Sequence, residues 1–165
     1  MIAIADFCKA MNTAWDASTL DATFKALWSD PTDTEYPVLN DEEALGDQPW
    51  PYVVLDQMSQ STSSRMSAEG LANREIRDVL VRINIHAKAI DSDSRTAKGI
   101  AAYLAEEVMK VFGGHPTISP TAEITLDNGN FLITQFQNDF GIRTGPDEYQ
   151  WVVTYLFRLD VPVAV

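Results

Sequence analysis

Apolar residues recur at three- and four-residue spacing from the start of the chain. Ile4, Phe7, Cys8, Met11, Ala14 and Trp15 form one stripe, which predicts an amphipathic opening helix. Ser18 is placed to cap a second short helix, with Leu20, Phe24, Leu27 and Trp28 turned inward and Asp21 in its first turn. Ser29-Asp30-Pro31 ends it, because the residue before a proline avoids the helical region. Periodicity is lost over residues 30–51, where proline turns and acids predict an extended surface excursion pinned by Tyr36, Val38, Leu39, Leu45 and Trp50. Tyr52-Val53-Val54-Leu55 then predicts a short buried strand, and the Ser-rich stretch 57–73 a flexible loop.

The clearest alternation in the chain runs from Arg74 to Lys88. Val79, Val81, Ile83, Ile85 and Ala87 share one face, and Arg82, Asn84, His86 and Lys88 the other. Asp91-Ser92-Asp93-Ser94 offers caps for a third helix, whose buried stripe is Ile100, Ala101, Leu104, Val108, Val111 and Phe112. Glu106 and Lys110 stand in the favourable i,i+4 order, and Gly113-Gly114 with Pro116 stops the helix. Strands follow over Ala122–Leu126 and Phe131–Phe140, about an Asp127-Asn128-Gly129 hairpin turn. Gly145-Pro146-Asp147 turns the chain into a last strand in which Tyr149, Trp151, Val153, Tyr155, Phe157, Leu159 and Val161 alternate. The order α-α-β-β-α-β-β-β, without repeats or a linker, predicts one α+β domain over residues 1–165. Its sheet is mainly antiparallel, with helices packed on one face.

Composition narrows the function classes. A chain of 165 residues with 45% hydrophobic and 22% charged residues is expected to build an ordinary core. No apolar run approaches the ~20 residues of a membrane-spanning helix, and Met1–Asp6 lacks the basic start of a signal peptide. Cys8 has no second cysteine to pair with and is expected as a small core hydrophobe. The net charge is −12 and uneven: residues 1–60 hold 2 basic and 11 acidic groups, and the remainder 10 and 13. Such a chain offers no basic patch for binding phosphates by counterion release.

The residues that could carry chemistry have bland readings. His86 and His115 have no cysteine or carboxylate at metal-ligand spacing, so they are expected as a solvated strand residue and a helix C-terminal cap. No serine sits in a nucleophile elbow, and no glycine-rich turn opens a helix. Asp91 and Asp93 read as helix-start acids, and Asp41 to Glu43 as a solvated turn. The expectation is therefore no catalytic, cofactor or metal site. Trp15, Trp28 and Trp151 fit core stripes. Trp50, between Pro49 and Pro51, suits either a core edge or an anchor on a neighbouring subunit.

In order of elements the chain resembles the tail terminator (tail completion) proteins of long-tailed bacteriophages. The carriers are the N-terminal helix, Glu35-Tyr36-Pro37-Val38-Leu39-Asn40 and Pro49-Trp50-Pro51-Tyr52-Val53-Val54-Leu55. To these are added the strand Val79–Ala87, the helix Ala97–Phe112 and the aromatic strand Tyr149–Leu159. The resemblance implies a non-enzymatic virion protein made in the host cytoplasm. Six subunits would close into a ring that caps the tail tube, docks to the head connector or stopper protein and lets DNA through. The expected partners are thus other copies of itself, the tube protein and the connector, with no membrane. On this reading Trp50, Arg65, Arg74 and Arg143 are the interface candidates, the arginines lying in 57–73, just beyond it, and in 141–148. Two alternatives stand beside it: another head-completion or connector protein, and a small metal-dependent hydrolase using the acids of 30–47.

Overall fold

The computed structural model describes residues 2–41, 43–44, 46–66, 74–113, 115, 117–118, 124 and 130–162. Helix α1 (Ile2–Asp16) and the short α2 (Leu20–Lys25) lead into a two-residue strand β1 (Leu39–Asn40). Then come β2 (Tyr52–Met66), β3 (Arg74–Lys88), helix α3 (Ala97–Phe112), β4 (Asn130–Gly145) and β5 (Glu148–Pro162). The strands form one sheet in the order β1-β2-β3-β5-β4, antiparallel except that β1 runs parallel to β2. The α+β class with a mainly antiparallel sheet is therefore as the pattern predicts. Of the strand expected over 122–126 the described residue is Ile124, buried against the core. The expected Asp127-Asn128-Gly129 hairpin lies outside the described residues.

One sheet face carries the core. Val79, Val81, Ile83 and Ile85 of β3 stand opposite Phe157, Tyr155, Val153 and Trp151 of β5. All of these but Trp151 are buried. Helix α3 packs over β3 and β5. Phe7 of α1 meets Phe157 at 5.1 Å between ring centroids, and Trp15 stacks obliquely on Phe24 and Phe112. Each buried aromatic side chain of this size removes ~150–250 Å² from water.

Four local expectations are corrected. Residues 57–66 are strand, not flexible loop: β2 continues to Met66 through two register shifts, and Ser59–Met66 pair with Leu80–Arg74. Serines and threonines give no apolar alternation. Their backbone nonetheless supplies the ladder that the far half of β3 needs on that side. Likewise β4 runs on past the expected end at Phe140 to Gly145, and the chain turns at Pro146 and Asp147, within the expected Gly145-Pro146-Asp147 turn. The cap of α3 is Thr96, whose hydroxyl accepts from the Gly99 amide at 3.2 Å. Asp93 instead accepts from the Arg95 amide at 2.9 Å and grips its guanidinium, which holds the Asp93 carboxyl down at about 2. Lys110 pairs with Glu107 at 2.6 Å, one residue nearer than the expected Glu106.

The start of α2 is also corrected: its N-cap is Thr19 rather than Ser18, whose hydroxyl accepts from the Leu20 amide at 3.1 Å, and the helix ends at Lys25, short of Ser29-Asp30-Pro31. Gly113 closes α3 with φ 71°, a conformation that favours glycine. Asp21 accepts the Trp15 indole N–H at 2.5 Å, and Trp28 donates to the Pro51 carbonyl at 2.8 Å, tying the excursion to the helices. Cys8 is half-buried rather than fully buried, and burial pushes its thiol pKa up.

Candidate partner interface

The face away from the helices is read from the register. Crossing the sheet from β2 to β4, one row is Tyr52, His86, Gln150 and Ile142, and the next is Val54, Asn84, Val152 and Phe140. Further along, Asp78 and Arg158 face each other in a bidentate pair at 2.8 and 2.9 Å, which lowers the Asp78 pKa. Val152, Asn84 and Thr154 are buried beneath their neighbours. Phe140 and Ile142 remain 44% and 45% exposed, on the edge strand.

At the end of this face nearest the Pro146-Asp147 turn, side chains converge on Trp50. Its ring meets Tyr52 and His86 edge-on, and Lys88 Nζ sits 4.4 Å above it. His86 lies flat on Tyr52 with centroids 4.8 Å apart and planes 13° apart. The expectation of a solvated His86 is thus corrected: Tyr52 of β2 and Trp50 just before it pack against a position that the strand pattern marks as polar. Burial lowers the His86 pKa, opposed by the charge of Glu148, which also bridges Lys88 at 3.2 Å. His115 caps no helix either. Its Nδ1 accepts from the Thr117 and Ile118 amides at 3.2 Å, and its ring meets Phe136 edge-on.

Around the β4 edge, on the helix side, lies a cleft of about 400 Å³ lined by Thr96, Lys98, Arg143, Asp147, Glu148 and Tyr149, among others. Arg143 donates to the Gly145 carbonyl at 3.1 Å and to the Pro146 carbonyl at 2.9 Å, so its charge is fixed over the turn.

The four interface candidates do not form one site. Arg65 stands opposite Glu75, which stands opposite Val161, and Arg74 stands opposite Pro162; Arg143 stands opposite Tyr149. Val161 lies twelve positions along β5 from Tyr149, roughly 40 Å of strand at the usual rise. Trp50 shares the Arg143 end of the sheet, and Arg65 and Arg74 share the other. Phe140, Ile142 and the Tyr52–His86 stack escape a sequence reading. The signal that marks them is topological: among the described residues, strand 130–145 is the last of the sheet, and Phe140 and Ile142 on its outward side stay exposed.

Among the described residues no group of three or more His, Cys, Asp or Glu is placed to hold a metal ion. No helix there is long and apolar enough to cross a membrane. No protein-family model matches the chain, and no curated protein sequence matches it. Among solved structures it is similar to a chain in the virion of the native gene transfer agent particle. The TM-score is 0.54 over 91% of this chain and 91% of that chain, at 16% identity. At that identity the likeness is one of fold.

Proposed function

We propose that this chain is a structural, non-enzymatic subunit of a virion, and within it a ring-forming tail terminator. Six copies close into a ring that caps the tail tube and joins the tail to the head connector, with DNA passing through. The observation that carries this reading is the near end-to-end fold likeness to a virion chain, 91% of each.

The placement of the interface candidates supports it. Their separation to opposite ends of a long sheet suits a subunit with two different axial partners, one at the Arg65–Arg74 end and one at the Trp50–Arg143 end. A net charge of −12 per copy suits a passage that repels DNA rather than holding it.

The test is the solution mass by sedimentation velocity over a wide concentration range, followed by end-on imaging. A hexamer with a pore supports the ring. A tight closed dimer refutes it. Copurification with isolated tails rather than with DNA-filled heads distinguishes a terminator from another connector protein.

A further inference from the structure

The two lateral edges of the sheet are chemically opposite. At one edge, β1 lies within the excursion 30–47, which holds seven acids and no base. Asp30, Glu35, Asp41, Glu43 and Asp47 are exposed there. Asp33, Glu35 and Asp47 gather about Tyr36, whose phenol pKa is raised first by burial and then by those three charges. None of the described acids of this lobe forms an ion pair with a described cation.

At the opposite edge, β4 has no strand beyond it among the described residues. It presents Phe140 and Ile142 outward on the open face and Arg143 beside the cleft on the other. Arg143 and Lys98 are exposed and, among the described residues, have no carboxylate at ion-pair distance. The other two charged residues of the cleft wall are Asp147 and Glu148, and Glu148 is already bridged to Lys88. An exposed strand edge with apolar residues is a surface that natural proteins cover.

From this we infer that the β4 edge, Phe140–Arg143 with Lys98 beside it, docks the acidic lobe of a second copy of the same chain. The occupant follows from charge complementarity. Among the described residues the cations at the β4 edge lack carboxylates and the acids of the lobe lack cations, and one molecule carries both. Because the two halves lie on opposite edges, the contact is head-to-tail. Such a contact propagates and closes into a ring when the rotation per copy allows it, rather than stopping at a dimer. The inference rests on the ring reading and adds to it which surfaces meet.

The experiment is a charge swap on the full chain, read by sedimentation velocity. Arg143→Glu alone, and Glu35→Lys with Asp47→Lys, should each raise the concentration at half-assembly about tenfold or more, as expected for a close interfacial charge pair. The triple variant should restore assembly to near the wild-type midpoint, and Phe140→Ser should weaken assembly without being rescued by either charge change. All substituted residues are exposed, so melting temperatures near wild type identify folded variants.

If the wild type assembles into rings and the charge variants assemble equally well, this contact is wrong while the ring stands. If both partial variants weaken assembly and the triple does not restore it, the pairing of these two edges is wrong. A chain that stays monomeric at every concentration, or closes as a dimer, overturns the inference and the ring together.

Discussion

Gly141 sits on edge strand β4 beneath two aromatic rings, and replacing it with alanine tests how tightly that corner is packed. A β-carbon there would lie 2.4 Å from Tyr149 Cε1, 2.8 Å from its hydroxyl oxygen and 2.9 Å from Trp151 Cε3. Carbon atoms in good contact sit at ~3.5–4.0 Å, so the tyrosine ring must retreat by about 1 Å. It has little room to do so, because Tyr149 packs on the core and its ring centroid lies 6.1 Å from that of Trp151. Gly141 is not among the positive-φ residues, so the cost is steric rather than conformational.

Overpacking of this kind costs ~1–3 kcal/mol. Removing a strand glycine returns roughly 0.5–1 kcal/mol of backbone entropy. Gly141→Ala should therefore destabilise by about 1–2 kcal/mol, or ~2–8 °C in melting temperature for a chain of this size. Urea melts of Gly141→Ala, Tyr149→Ala and the double variant form a cycle that isolates the ring's share. The alanine should cost much less when Tyr149 is already truncated. A Gly141→Ala protein as stable as wild type would refute the packing described for this corner.

Three further outcomes follow from the same structure. The Tyr155 hydroxyl is buried without a hydrogen-bond partner among the described residues, and burial drives its pKa well above the ordinary value. Tyr155→Phe should leave stability unchanged or raise it by up to ~1 kcal/mol, and a loss larger than that in a urea melt would reveal a partner. His86 has a folded pKa below its ordinary 6.5, so the unfolded chain binds the extra proton first. Its stability contribution is complete above pH 6.5 and is lost as pH falls from there through the folded value. The drop in melting temperature between pH 7 and pH 5 should be smaller in His86→Gln, and equal drops would remove His86 as its source. Thr96→Ala removes the α3 cap and should cost ~1 kcal/mol by thermal melting, while Thr96→Ser should retain most of it.

Much of this fold is written in local periodicity. The stripes of α1 and α3, the alternation of Arg74–Lys88 and the aromatic alternation of 149–161 each name a buried face without knowledge of any other element. A one-residue change of phase would turn those faces to solvent. The α+β class follows from their order. What periodicity leaves open is pairing. Ser59–Met66 have no apolar alternation, and they are strand because β3 offers them a ladder. Leu39–Asn40 become strand because the excursion returns beside Val53 and Val54.

The sequence could also name Trp50, Arg65, Arg74 and Arg143 as candidates, but not that the register sends them to opposite ends of the sheet. Nor could the alternation of 131–140 show that Phe140 and Ile142 stay uncovered, because that depends on β4 standing last in the sheet order. Local sequence fixes which face of an element is apolar. Whether that face is covered depends on what folds against it, which was decided by long-range pairing alone.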